Sequence, residues 1–347
     1  ARLVYRILQE AMYEGGVALN YCKATKLLKR NGVVSGIQMQ DLEEEKEYEV
    51  TATQVINATG VWVDGFRETL NKANSHCMRP LRGSHLVFSQ ERLPVSNAIV
   101  ITHPVSKRPG FVQPWEGRVL VGNTDIDHKD NLDNESYATA DEVDYLMENL
   151  HHHFPSLKLQ KSDIISTFAG VRPVIDSGKE DPSSESREHA VWLEDGLLTV
   201  TGGKLTTFRL LALDVLNKAQ TSLGPLPDLY KEQPFFNQSD IAKPSDLELN
   251  TDQWKRLQGR FGNQLSEFLK TARQDELVEI PGIQTLWAEL RWAAANENVI
   301  HLEDLMYRRT RIGLLLKNEG ELYLPRIKEI CQSELGWDDI KWDAEKD

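Results

Sequence analysis

Thr199-Val200-Thr201-Gly202-Gly203-Lys204-Leu205-Thr206-Thr207-Phe208-Arg209 joins two patterns. An apolar strand pattern that begins at Leu197 enters it, and a helical pattern leaves it on Leu210, Leu211, Leu213, Val215 and Leu216. A strand that turns directly into a helix aims free backbone N–H groups and the positive end of a helix dipole at one point, where an anion is stabilised. A nucleoside-triphosphate loop would need Gly in place of Leu198 and Ser or Thr in place of Leu205, which argues against a nucleotide kinase. The competing reading is an ordinary tight turn with a surface lysine. The rest of the chain decides between the two.

Upstream, residues 54–60 form a second apolar strand ending in Ala58-Thr59-Gly60, small residues that let a backbone or a cofactor approach closely. Earlier still, Leu3, Val4, Ile7, Leu8 and Ala11 recur at helical spacing until Gly15-Gly16, predicting one amphipathic helix. Residues 17–22 read as a short buried strand. Residues 36–40 and 47–50 alternate like the arms of a hairpin around Glu43-Glu44-Glu45, an acidic run read as a solvated loop.

From Met78 onward, short strands are separated by turn residues: 84–88, 98–102, 110–114, 118–121 and 164–169, with one helix at 141–152. This predicts a mostly antiparallel sheet with a helix on one face. Asp125, Asp127, Asp130 and Asp133 are spaced suggestively, but Lys129 and Asp130 stand where a calcium loop wants an oxygen ligand and a glycine, so no metal site is expected. His151-His152-His153 reads as surface decoration at a helix C-terminus. An acidic, Ser-rich loop at 177–186 precedes a returning strand at 187–193. Gly224-Pro225-Leu226-Pro227 marks a linker, and the remainder is helical. In that tail, Arg308, Arg309 and Arg311 are expected to form structural salt bridges with nearby acids such as Glu303 and Asp304.

The totals bound the function. A chain of 347 residues suggests two or three domains at roughly 150 residues each. Forty Lys and Arg against 53 Asp and Glu give a net charge of −13, which argues against nucleic-acid binding. Cys22, Cys77 and Cys331 form no C-x-x-C pair, so neither a zinc site nor a disulfide framework is indicated, and a reducing, cytoplasmic setting is expected. No apolar run approaches the ~20 residues of a membrane span. The chain starts at Ala1 without an initiator Met and contains no Gly-x-Gly, so an N-terminally truncated fragment is expected.

Five ordered stretches carry a resemblance: residues 56–62, Arg82-Gly83-Ser84-His85, residues 168–173 (Phe-Ala-Gly-Val-Arg-Pro), Ser186-Arg187-Glu188 and residues 202–207 (Gly-Gly-Lys-Leu-Thr-Thr). Together with residues 303–311 in the tail, the chain resembles the FAD-dependent glycerol-3-phosphate dehydrogenases and α-glycerophosphate oxidases. It departs from them in lacking their opening Gly-x-Gly-x-x-Gly phosphate-binding turn. The resemblance implies a fold of α/β plus α+β class: the remainder of a Rossmann-like FAD domain over residues 1–70 and 188–222, a substrate-binding antiparallel sheet over 71–187, and a helical C-terminal domain over 235–347.

It also implies oxidation of sn-glycerol 3-phosphate to dihydroxyacetone phosphate, with hydride passing from C2 to FAD N5 and electrons on to a quinone or to oxygen. His85 becomes the base for the C2 hydroxyl, because imidazole titrates near neutral pH. Arg172 and Arg187 become the phosphate partners, because guanidinium presents a fork that matches phosphate oxygens. Lys204 sits beside the flavin or reaches the substrate, and the turn Gly203, Lys204, Leu205, Thr206, Thr207 faces the charge that gathers on reduced flavin. Ala24, Thr59, Gly60 and Trp62 contact or flank the adenine half. Further expectations are peripheral contact with the inner face of a membrane and a homodimer. Two alternatives stand beside this reading: a non-catalytic scaffold without FAD, and an amine or amino-acid oxidase on the same fold.

Overall fold

The computed structural model describes residues 2–70, 77–227, 234–236, 241–245 and 247–346. The opening helix α1 (Arg2–Tyr13) forms where its periodicity predicts. Its orientation is the reverse of a usual amphipathic helix: Leu3, Val4 and Leu8 are exposed, whereas Arg6, Gln9 and Glu10 are buried. Polar contacts to the distant tail decide this, with Arg2 on Glu297 at 2.6 Å and Gln9 donating to Gln264 at 2.7 Å.

A three-stranded antiparallel meander follows, β1 (Cys22–Arg30), β2 (Val33–Asp41) and β3 (Glu47–Thr51). The strand expected at residues 17–22 is absent: Val17 and Leu19 are exposed, and pairing starts only at Cys22. The lysine-rich β1 itself lacks the apolar run that marks a buried strand. Asn31 and Gly32 between β1 and β2 both have positive φ, 53° and 81°, which suits a two-residue hairpin turn.

The second sheet has the order β10-β5-β8-β7-β6, built from β5 (Met78–Ser89), β6 (Ile99–Thr102), β7 (Pro109–Trp115), β8 (Arg118–Gly122) and β10 (Ile164–Ile175). The two-residue β9 (Ile126–Asp127) pairs with β5. All its pairings are antiparallel. Helix α3 (Ala140–His153) covers one face and closes a core of Leu86, Phe88, Val112, Val119, Val121, Leu146 and Leu150. The opposite face carries the odd residues of β5 and, after the irregularity between Ile164 and Ser166, the even residues of β10, and it is there that His85 and Arg172 converge. Strands β5 and β10 extend beyond the expected spans because Pro80 and Pro173 stand opposite each other in the ladder instead of ending it.

The third sheet, β11-β12-β4, places β12 (Leu197–Gly202) antiparallel to β11 (His189–Glu194) and parallel to β4 (Val55–Asn57). Five of the six β12 residues are buried, because both faces are covered. Leu197 packs on the meander through Leu27 and Val34, and Leu198 and Val200 pack on helix α4 (Phe208–Leu223) through Val215 and Ala219. The short helix α2 (Val63–Glu68) follows β4 after a 3-10 turn, Gly60–Trp62.

The tail comprises α5 (Thr251–Phe261), α6 (Leu265–Thr271), α7 (Trp287–Asn296), α8 (Ile312–Leu315), α9 (Leu324–Leu335) and α10 (Asp339–Lys346), with a π-helical segment at Asp304–Arg309. Helix α7 feeds two cores, Leu290 and Ala293 into one and Ala288 and Trp292 into the other. Arg308 pairs with Glu303 and Asp304 as expected. Arg309 instead donates to the carbonyls of Glu297 and Asn298, and Arg311 reaches Glu116 in the second sheet at 2.7 Å. The acidic run at 43–45 is not wholly solvated, since Glu43 accepts a 2.9 Å hydrogen bond from His301 of the tail. Nor is the histidine run mere decoration: His151 bonds the Leu159 carbonyl and His153 the Thr102 carbonyl, each at 2.9 Å. No helix among the described residues is long and apolar enough to cross a membrane.

Candidate active site

Register on the open face of the second sheet brings three strands to one point. His85 of β5 stands opposite Phe168 of β10 and opposite Gly122 of β8. Its ring stacks on Phe168 with centroids 5.0 Å apart, and lies so close over Gly122 that a Cβ there would come within 2.2 Å of it. Arg172 faces Leu81 in register and reaches diagonally over Gly83, where a Cβ would lie 2.0 Å from the guanidinium. Glycine at these two positions therefore makes room for the side chains of His85 and Arg172.

The environment of His85 is apolar and cationic. Burial, followed by the Arg172 charge, pulls its pKa down to about 4, so the imidazole is neutral at physiological pH. Its Nδ1 is buried without a partner, which leaves Nε2 as the nitrogen to face a ligand.

Below His85 and Arg172, Glu142 in the capping box of α3 holds the loop after β8 in place. It accepts from Thr124 Oγ1 at 2.6 Å, Ser84 Oγ at 2.8 Å and Arg82 Nε at 3.0 Å. Burial raises its pKa, but the bonds from Thr124, Ser84 and Thr139 outweigh burial and keep it ionised.

That loop delivers Asp125, 8% exposed, into a cluster of guanidinium groups. Arg172 Nη1 donates to its Oδ1 at 2.9 Å, while Arg187 Nη2 and Arg108 Nη2 approach Oδ2 at 2.7 and 3.0 Å. Burial, relieved in part by Asp125, and the neighbouring Arg187 and Arg108 charges lower the Arg172 pKa. Sequence reasoning paired Arg172 with Arg187 but missed Arg108 and Asp125. It grouped Asp125 with three acids that serve separate partners: Asp127 binds Arg79, Asp130 binds Arg82, and Asp133 accepts from the Trp62 indole.

A second feature is a cavity of about 780 Å³ between the meander, α2 and the loop after β9. Ala24, Thr59 and Trp62 line it together with Lys23, Thr25 and His128. Both ring nitrogens of His128 are buried without partners. Apolar walls interspersed with hydroxyl and imidazole groups suit a large, partly polar organic ligand. Gly60, at φ 64°, accepts a hydrogen bond from Thr201 through its carbonyl.

The opening stretch takes the expected form. Gly202 and Gly203 both have positive φ, 78° and 77°, and a Cβ on Gly202 would meet the Glu188 carbonyl at 2.5 Å. Leu205–Thr207 makes a 3-10 turn into α4 that engages the first N–H groups itself, Thr207 donating to the Lys204 carbonyl at 3.0 Å and Phe208 to the Leu205 carbonyl. Lys204 is exposed and is not part of the Asp125 cluster, and Gly203, Leu205, Thr206 and Thr207 lie outside the lining of the cavity.

A neutral histidine and an arginine cluster thus share a sheet face, in a chain that also carries a cavity suited to a large organic ligand. The family model for FAD dependent oxidoreductases matches residues 1–209, and the chain belongs to that family. The model for the C-terminal domain of alpha-glycerophosphate oxidase matches residues 231–341.

The aerobic glycerol-3-phosphate dehydrogenase of Staphylococcus haemolyticus is 31% identical over 96% of this chain and 61% of its own length. That of Bacillus subtilis is 37% identical over 64% of this chain and 40% of its own length. The chain thus spans less than two thirds of these relatives. The structure of glycerol-3-phosphate dehydrogenase from Bacillus halodurans complexed with FAD superposes with a TM-score of 0.79 at 23% identity. It covers 99% of this chain and 71% of that one, and shares the fold.

Proposed function

We propose that the site oxidises sn-glycerol 3-phosphate to dihydroxyacetone phosphate. The observation that carries this reading is a neutral imidazole and a cluster of guanidinium groups on one sheet face. His85 Nε2 accepts the proton of the C2 hydroxyl, and the depressed pKa keeps it unprotonated and ready to do so. Arg172 and Arg187 hold the phosphate, fixing the C2 carbon relative to His85. Lys204, on the exposed turn before α4, contributes a cation beside the reacting groups. FAD, when bound, supplies the two-electron acceptor for the C2 hydride, and a quinone or oxygen reoxidises it.

The cavity lining supports binding of that cofactor. Ala24, Thr59, Gly60 and Trp62 hold its adenine half, and the turn of Gly203, Lys204, Leu205, Thr206 and Thr207 faces its other end, with the N–H groups of Gly203 and Thr207 already donated to the carbonyls of Glu188 and Lys204. Glycerol phosphate and the electron acceptor are the partners of this reading, with peripheral docking on a membrane surface and a homodimer as further proposals.

The test is reduction of an artificial dye by the chain supplied with FAD and sn-glycerol 3-phosphate. His85→Ala and Arg172→Ala are each expected to lower kcat/KM by about 10²-fold or more. Full activity in either variant sinks the site assignment, and turnover of an amino acid in place of glycerol phosphate would favour an amino-acid oxidase. Flavin fluorescence titration checks the cavity separately, since Trp62→Ala should weaken FAD binding without the substrate present.

A further inference from the structure

Arg187 has one anchor in the described structure, the Asp125 carboxylate, while its Nη1 is buried with no partner. Arg108 and Arg172 are held by the same aspartate and its loop. Arg108 Nη1 donates to the Asp125 carbonyl at 3.0 Å and Arg172 Nη1 to the Thr124 carbonyl at 3.2 Å. The three arginines come from separate places: just before β7, within β10 and just before β11. Without a shared acceptor, their mutual repulsion would drive them apart. All three side chains are 25–30% exposed, so their outer N–H groups remain open to a ligand.

We propose that Asp125 is a positioning residue that gathers Arg108, Arg172 and Arg187 into one subsite for a dianion, with Arg108 its third phosphate-binding arm. This rests on the phosphate-substrate reading above. Three guanidinium groups and one carboxylate leave a net charge of +2, which a phosphate dianion neutralises and a monocarboxylate does not. Two opposing effects can be told apart by sign. If Asp125 merely competed with the ligand, removing its charge would tighten anion binding. As the group that holds the arginines in place, it weakens binding when removed.

Titration calorimetry of the chain, with FAD in the buffer, measures this using glycerol 3-phosphate, inorganic phosphate and lactate as probes. Asp125→Asn is expected to weaken both phosphate ligands roughly tenfold or more, with Asp125→Glu recovering part of the loss. Arg108→Gln should act in the same direction while changing lactate binding by less than about threefold. In the unaltered chain, phosphate affinity should fall as the ligand becomes a monoanion below its second pKa near ~6, and Arg108→Gln should flatten that dependence.

Equal or tighter phosphate binding in Asp125→Asn overturns the proposal. So does Arg108→Gln within about twofold of the unaltered chain while Arg172→Gln loses binding, an outcome that leaves the substrate reading intact. If Asp125→Asn does not fold, Arg108→Gln decides alone. An unaltered chain that binds neither phosphate ligand overturns the substrate reading, and this inference with it.

Discussion

His85 carries a thermodynamic signature independent of turnover. An unfolded chain titrates its histidines near ~6.5, whereas burial and Arg172 hold folded His85 at about 4. Between those values the unfolded state binds a proton that the native state refuses, so stability is intact above ~6.5 and is lost as pH falls toward ~4. The loss attributable to His85 is about 2–3 kcal/mol, allowing for its partial exposure. Urea unfolding at pH ~7 and ~4.5 measures it, and His85→Gln should show a shallower decline than the unaltered chain. Parallel slopes in the two proteins would mean that His85 is not held neutral by its surroundings. The same depression predicts that the acid limb of kcat/KM lies well below the usual histidine range.

At the scale of the element, the site depends on register. A strand places alternate residues on one face, so Gly83 and His85 on β5 share a face with Phe168 and Arg172 on β10. Gly83→Ala puts a methyl group where the Arg172 guanidinium lies, 2.0 Å from Nη2. The end of a flexible side chain can move away, so the fold should lose less than about 1 kcal/mol. Arg172 would then leave Asp125, and glycerol 3-phosphate affinity should drop roughly tenfold. A urea melt paired with a binding titration separates the two effects. A large loss of stability, or unchanged affinity, would refute this view of Gly83.

Register also explains what the sequence could and could not disclose. Strands β6, β7 and β8 and helix α3 were legible because their apolar residues alternate or recur at helical spacing, and the paired glycines before α4 announced their turn. The β1–β2 hairpin carried a strong signal, Asn31-Gly32, but the lysines of β1 masked the strand beside it. His85, Arg172 and Arg187 stood out through motif context. Asp125 did not, because its meaning comes from arginines 17, 47 and 62 residues away that meet only after the sheet has formed.

At the scale of the molecule, the tail is fastened to the site sheet by charge. Glu116, in the turn between β7 and β8, accepts from Arg256 of α5 at 3.0 Å and from Arg311 at 2.7 Å. Arg256 continues to Glu289 of α7 at 2.6 Å, and Glu289 also pairs with Arg260 at 2.7 Å. Burial pushes the Glu116 pKa up, yet Arg256, Arg260 and Arg311 together bring it below its ordinary value.

The cluster leads back to His85, since Arg311 lies 5.2 Å over the Trp115 ring, Trp115 packs against Phe168, and Phe168 stacks on His85. Removing one partner of a buried ion network leaves the others uncompensated, so Glu116→Gln should cost about 3 kcal/mol, and added salt should restore little of it. Hydrogen exchange locates the damage: amides of α5, α8 and the β7–β8 turn should lose protection together, while the core under α3 keeps its own. Loss of protection spread evenly over the chain, or none at the β7–β8 turn, would show that the network does not join tail to sheet.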